Sequence, residues 1–405
     1  MNILFLTMST MVKVPESSGI YNDLIRKFRN DGHKVYIMYP NERRNGLPTT
    51  LTEDNGIYCL GVQTLNVQKT NIIEKGIGQL LLEYQFKSAL KEFLKDIQFD
   101  LILYSTPPIT FNNVIKYAKR MSGEKALTYL LLKDIFPQNA VDLGIMRKTG
   151  VKGILYKMFR KKEEELYRIS DYIGCMSPAN VEYVLKHNPS IDKNKVEIAP
   201  NSYDIPYNTN VINKENIRIK YNLPIDKPIF IYGGNMGKPQ GIPFVIECLK
   251  AVKNRKDCHF LLVGDGTEYP KLEAFINNEK PKSVSVFRKL PKNDYDNLAA
   301  ACDIGLIFLD YRFSIPNYPS RLLPYIMGKK PIIAVTDPNC DTGTLAEANG
   351  YGFYCPSNSV DNFVNTINKI LSSDIKQMGE NGYKFFLKNY TTENTYNTII
   401  KHIIK

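Results

Sequence analysis

Residues 229–241 read IFIYGGNMGKPQG: four strand-forming residues, Ile229 to Tyr232, run into Gly233, Gly234, Asn235, Met236, Gly237 and Lys238, and a helical pattern follows. A buried strand that ends on glycines and leads into a helix is the first turn of a βα unit. Glycines let the backbone come close to a ligand, and a helix start attracts an anion. Lys238 adds a full positive charge, so the stretch suits a diphosphate. Its spacing is not G-x-G-x-x-G, and it is not a P-loop, because no Lys-Ser or Lys-Thr follows the last glycine. Taken alone, it reads equally well as a tight turn with an exposed lysine.

The same alternation continues to either side. Strand-like runs are expected at 2–7, 34–39, 58–61, 100–104, 127–132, 171–175 and 196–199, and again at 228–232, 258–263, 284–287, 303–308 and 331–335. Helical periods separate them; in GIYNDLIRKFRNDGH, Ile20, Leu24, Ile25 and Phe28 share one face. Strand and helix in alternation mean βαβ units and parallel sheets. Two such series predict an α/β chain with two Rossmann-like doubly wound domains facing a cleft. The first spans residues 1–200 and the second 201–385, with a helical tail over 386–405 that returns to the first domain. The seam lies in the Asn- and Pro-rich stretch 201–227. Ligands of such sheets bind past the carboxyl ends of the strands.

The chain has 405 residues, too many for one ordinary core. With 43% hydrophobic and 23% charged residues it has the composition of a soluble globular protein. No apolar run is long enough to span a bilayer. The start, MNILFLTM, reads as a first strand rather than a leader, so a cytoplasmic location is expected, peripheral on the inner face of the plasma membrane. Seven scattered cysteines, none in a C-x-x-C pair, argue against zinc and a disulfide framework. A net charge of +12 draws anions: nucleic acid, acidic lipid or phosphorylated small molecules. The basic residues are spread along the chain and form no nucleic-acid-reading motif, so no nucleic-acid partner is expected.

Two further strand–turn–helix junctions follow. HFLLVGDGTEY, 259–269, ends its strand on Gly264-Asp265-Gly266, which by itself is more simply a turn. SIPNYPSRLLPYIMGKKPIIAV, 314–335, carries a proline-rich loop into a short helix that starts near Pro319-Ser320-Arg321. An Arg in the first helical turn opposes the helix dipole. It suits bidentate binding of phosphate oxygens, which favours a functional role. Asp134, in LLKDIFPQ, is either a cleft acid or a cap before a turn, and STPPIT, 105–110, either lines a site or makes a turn.

In order and spacing, YGGNMGKPQG, FLLVGDG, VFRKLPKNDYDNLAAACDIGLIFL and YPSRLLPYIMGKKPIIA resemble the retaining family-4 glycosyltransferases of GT-B architecture, of the bacterial surface-polysaccharide (capsule, O-antigen) type. SSGIYNDLIRKFRNDGHKV, LLKDIFPQ, EELYRISDYIGCMSPANVEYV and IAPNSYD extend the resemblance over nearly the whole chain. It implies a nucleotide-sugar donor held by the second domain and an acceptor on the first. Gly234 and Asn235 would lie by the donor phosphates, and Gly264 at the neighbouring strand end. Gln240 stands where many members carry a Lys, so Lys238 or Arg321 would neutralise the leaving diphosphate. Arg288 falls in the loop that contacts the base. Gly19 would approach the donor from the first domain, and Asp134 would face the reacting sugar. Two glutamates common in the family are replaced here by Pro316 and Pro324, which leaves Asn317, Tyr318 and Ser320 to supply contacts to the donor.

The expected reaction moves a sugar from a nucleotide-sugar, UDP-linked and of the N-acetylated hexosamine type, to a polyprenyl-linked glycan. It needs no cofactor and no metal, since no Asp-x-Asp motif stands out. The alternatives are a catalytically silent scaffold of the same architecture, kept open by the lost glutamates, and a basic nucleic-acid-binding protein. The basic helix expected at 151–168, with Val151, Ile154, Leu155, Met158, Phe159 and Leu166 on one face, is either an anionic-membrane contact or an ordinary solvated face.

Overall fold

A computed structural model describes residues 1–67, 72–205 and 213–403, without the side chains of residues 72, 73, 75–77, 80, 151 and 152. Parts of three expectations therefore lie outside the described residues: 206–212 of the seam, the last two residues of the tail, and the Val151 side chain on the basic helix. The chain divides into two compact units, Met1–Asp204 with Tyr390–Lys405, and Ile205–Asn389.

The first unit is built on eight strands: β1 Asn2–Leu6, β2 Lys34–Glu42, β3 Thr50–Asp54, β4 Ile57–Thr64, β5 Leu101–Ser105, β6 Leu127–Leu132, β7 Tyr172–Cys175 and β8 Val196–Ile198. Their order is β3-β4-β2-β1-β5-β6-β7-β8, parallel except for β3, which runs antiparallel to β4 at the edge. Both faces of the sheet are covered, which is why its central strands read as continuous apolar runs. Leu4, Leu6, Ile102, Tyr104, Leu130 and Leu132 point into one core. Ile3, Phe5, Leu101, Leu103 and Leu131, one residue out of step, point into the other, where helix Asn22–Asn30 buries Leu24, Ile25 and Phe28. The last helix, Thr392–Ile400, closes that layer through Tyr396 and Ile399, and a bridge between Tyr203 and Thr391 ties it in. Ile20 precedes the helix whose face it was expected to share.

The second unit carries β9 Ile229–Asn235, β10 His259–Asp265, β11 Val284–Arg288, β12 Ile304–Phe308, β13 Ile332–Thr336 and β14 Gly352–Pro356, in the order β11-β10-β9-β12-β13-β14 and all parallel. Counted within the unit this is 3-2-1-4-5-6, the doubly wound dinucleotide-fold order, whose direction reverses between β9 and β12. In the first unit the same reversal falls between β1 and β5.

β9 is longer than its apolar run. It continues through both glycines because Gly233, Gly234 and Asn235 pair with Val263, Gly264 and Asp265 of β10. β3 and β14 are not among the expected strands. β3 is a polar, largely exposed edge, and β14 is a five-residue strand that ends on Pro356. All seven cysteines are free and buried. No helix among the described residues is long and apolar enough to cross a membrane.

Candidate active site

At the carboxyl end of β9 the backbone is opened by Gly234, whose φ of +125° strains any other residue. A Cβ there would lie 3.6 Å from the guanidinium carbon and both terminal nitrogens of Arg321. Arg321 therefore stands directly over the exposed glycine. It occupies the N-cap position of the short helix Leu322–Met327 without a side-chain capping bond, one residue ahead of its expected place inside the first turn. Its Nη1 donates to the Gly233 carbonyl at 3.2 Å, and its Cζ sits 4.5 Å from the centre of the Tyr232 ring. Among the described residues no carboxylate pairs with it. Desolvation alone would lower its pKa, but the oxygens of Tyr232 and Tyr325 outweigh that and leave the net shift upward, so the guanidinium stays charged. The result is a fixed, partly buried cation beside open backbone at the sheet's reversal point, which is how an anion site is built.

Three tyrosines shape this corner. The Tyr232 hydroxyl donates to the Asn235 carbonyl at 2.6 Å, which closes the end of β9 on itself. The Gly233 N–H donates to the Tyr325 hydroxyl at 3.0 Å. The Tyr295 hydroxyl fills the space where a Gly233 Cβ would stand, 1.8 Å away. Gly233 is thus required by packing, and Gly234 by conformation and by the room left for a ligand.

The remaining candidates of this unit divide by role. Asn235 is exposed, and its Nδ2 donates to Gln240 Oε1 at 3.0 Å. The same oxygen accepts from the Gly237 N–H at 3.1 Å. Gln240, buried, therefore braces the loop from inside. Lys238 is exposed in the 3₁₀ turn Lys238–Gln240, which separates β9 from helix Ile242–Val252, and among the described residues it makes no ion pair. Gly264 lies against β9: a Cβ on it would fall 1.9 Å from the Gly234 carbonyl oxygen, so its small size serves strand packing. Arg288 is the last residue of β11 rather than a loop residue. It lies 3.2 Å from Glu273, 3.9 Å from Asp265 and over the Tyr269 ring. In the loop before Arg321, Tyr318 is buried, Ser320 is half-buried, and the Asn317 Nδ2 is buried without a hydrogen-bond partner. Pro316 is buried in that loop, while Pro324, within the first turn of the short helix, is exposed.

In the first unit Asp134 follows β6. Its backbone N–H donates to Thr106 Oγ1 at 3.1 Å, and its carbonyl accepts from the same hydroxyl at 3.1 Å. Thr106, just past β5, thereby fixes the turn after β6, and the Asp134 carboxyl is left open to solvent. Although the residue is exposed, desolvation by the groups packed around it pushes the carboxyl up to about 6. Tyr21 is pushed up to about 12, chiefly by burial, with the Asp134 charge adding to the rise. Lys133, one residue before Asp134, donates to the Ala199 carbonyl at 3.1 Å, and burial lowers it to about 7. Gly19 donates its N–H to Asp23 Oδ1 at 3.0 Å, and nothing lies within 4 Å of a Cβ placed on it, so packing does not demand a glycine there.

The structure thus gathers Gly234, Asn235, Lys238, Gln240, Gly264 and Arg321 around one strand end, and Asp134 at the strand ends of the other unit. Tyr232, Tyr295, Tyr325, Tyr21 and Lys133 were not among the expected residues. Among the described residues no three of His, Cys, Asp and Glu cluster as metal ligands.

Residues 213–385 match the family described as glycosyl transferases group 1. The chain is 23% identical to a probable glycosyltransferase, WbjE, of Pseudomonas aeruginosa, over 77% of this chain and 75% of that one. Among solved structures, a sucrose-phosphate synthase from Thermosynechococcus elongatus superposes with a TM-score of 0.75 at 13% identity, covering 99% of this chain and 98% of that one. Anabaena HepE, solved in complex with UDP and glucose, superposes with a TM-score of 0.69 at 15% identity, covering 100% and 99%. The chain has the GT-B fold of two Rossmann-like α/β domains, and its residues 213–385 are similar to the group 1 glycosyl transferases.

Proposed function

We propose that the chain transfers a sugar from a UDP-linked donor to a lipid-linked glycan with retention of anomeric configuration, without a metal ion. The observation that carries the reading is Arg321, a fixed cation with no carboxylate partner among the described residues, standing over the open backbone of Gly234 at the reversal point of the second sheet. Breaking the anomeric C–O bond leaves its electron pair on the nucleoside diphosphate. A preorganised cation beside that oxygen stabilises the charge as it develops. Arg321 takes this role and the exposed Lys238 shares it. The loop residues Asn317, Tyr318 and Ser320 supply contacts to the sugar and ribose in place of the two lost family glutamates. Asp134, its pKa raised toward neutrality, accepts the proton of the attacking acceptor hydroxyl.

The test is turnover. Purified protein is given UDP-sugars, N-acetylated hexosamines among them, with a polyprenyl-diphosphate-linked sugar as acceptor, in the presence of EDTA. UDP release and the anomeric coupling constant of the product are then read. Product with the donor's own configuration supports the reading. An inverted product or a need for divalent metal overturns that part of it, and UDP binding without turnover favours a silent scaffold.

A further inference from the structure

The connection from β6 to β7 carries Asp134 and, beyond it, a second feature that the donor site does not use. Residues 143–162 contain seven Lys and Arg and no Asp or Glu. The helix Gly150–Ile169, which begins within them and runs past them into Glu163, Glu164 and Glu165, is divided along its length. Its carboxyl half buries Leu166 and Tyr167 in the core. Its amino half does the opposite: Ile154 is 71% exposed, and Leu155, Met158 and the preceding Ile145 also face solvent. Ile154, Met158 and Lys161 stand one helical turn apart in succession, so apolar and basic side chains share one exposed strip. Arg160 and Lys162 are engaged by Glu163 and Glu83. Arg147, Lys157 and Lys161 make no ion pair among the described residues.

We propose that this strip docks on an anionic lipid bilayer, with Ile154, Leu155 and Met158 entering the boundary between headgroups and acyl chains and Arg147, Lys157 and Lys161 meeting lipid phosphates. Exposed aliphatic side chains ringed by unpaired cations are the pattern of an interfacial helix. The charge selects the occupant: a second copy of a chain carrying +12 would bring like charge to a strip that has no carboxylate over twenty residues. The inference is independent of the donor reading, because binding to vesicles requires neither nucleotide nor turnover.

The experiment is co-sedimentation of the full chain with phosphatidylcholine vesicles and with vesicles of equal parts phosphatidylcholine and phosphatidylglycerol. The wild type is expected to sediment with the anionic vesicles alone. Each basic group adds about fivefold to partitioning. Lys157→Glu/Lys161→Glu therefore cuts binding by at least about 25-fold, given that per-residue effect. Ile154→Ser/Met158→Ser, at exposed positions that leave the fold intact by circular dichroism, lowers it on the order of tenfold. Lys376→Glu/Lys384→Glu, which makes the same charge change at exposed positions of helix Ile375–Asn389, leaves it within a factor of two to three of wild type, since those groups lie off the strip. Failure of the wild type to bind, equal binding to neutral vesicles, or equal loss in the control pair each overturns the proposal.

Discussion

Replacing Arg321 by Ala separates catalysis from folding. The side chain gives the fold one hydrogen bond to the Gly233 carbonyl, about 1.5–3 kcal/mol at most for a charged donor. It also gives one cation–π contact with Tyr232, about 0.5–2 kcal/mol. Its cation is partly desolvated with no counter-charge, which offsets part of both. A net loss of about 1–3 kcal/mol follows, and a unit of this size loses about 2–4 °C of Tm per kcal/mol. The same cation, acting on charge that appears only as the glycosidic bond breaks, is worth about 2.7–4 kcal/mol of barrier, or 10²–10³ in kcat. The assay is UDP release under saturating UDP-sugar, run well below the variant's own midpoint. The expected result is a fall in kcat of that size with a modest change in KM. Arg321→Lys keeps the charge but loses the planar fork and the stacking on Tyr232, and falls between the two. An Arg321→Ala enzyme that stays folded and turns over at the wild-type rate would refute the reasoning.

Other consequences are as direct. Tyr232→Phe keeps the ring under Arg321 and loses the hydroxyl with its bond to Asn235 and its influence on Arg321, but a guanidinium stays charged without it, so kcat should be retained, whereas Tyr232→Leu removes the face that orients the guanidinium and should lose about tenfold, given the usual worth of such a contact. Gly264→Ala sets a methyl against the Gly234 carbonyl and should cost about 1–3 kcal/mol of stability, seen as a lower midpoint in urea, while Gly19→Ala meets nothing and should leave that midpoint unchanged. Asp337 is buried, and its carboxyl is pushed up to about 7 chiefly by desolvation, with one oxygen unpartnered. The native state therefore holds a proton that the unfolded chain has already released, so stability falls as pH rises from about 4 to about 7 and is flat above. Asp337→Asn removes that slope, so its Tm relative to wild type should climb across the same window; a constant difference would contradict the assignment.

What the sequence disclosed and what it withheld have physical causes. Strands buried on both faces announce themselves as unbroken apolar runs, and both parallel sheets follow from them. β3 and β14 lack that mark: β3 is polar because it lies at an edge, and β14, GFYCP, starts on glycine, ends on proline and is only partly buried, so it shows no unbroken apolar run. The strand character of Gly233 and Gly234 comes from pairing with β10, a contact with no local signature. Arg321 was legible because a cation at a helix start is electrostatically misplaced unless an anion comes. Its tyrosine setting was not, since the Arg321–Gly233 and Gly233–Tyr325 contacts join residues 88 and 92 positions apart. Gln240 and Gly264 were singled out as ligand contacts on motif position. The structure gives the first to bracing the glycine loop and the second to packing two strands. No pattern in the chain distinguishes those uses from ligand binding.

The central claim is that the corner formed by Gly234 and Arg321 holds the diphosphate of a UDP-linked sugar, and its most direct measurement is a thermal-shift titration of the wild-type chain with UDP, GDP, TDP and CDP, with and without EDTA. Ligand at about 100 times its Kd stabilises the native state by about 2.7 kcal/mol, a shift of several degrees. The account predicts that shift with UDP, unchanged by EDTA and lost in Arg321→Ala. No shift with any of the four nucleotides, or an equal shift in Arg321→Ala, would contradict it.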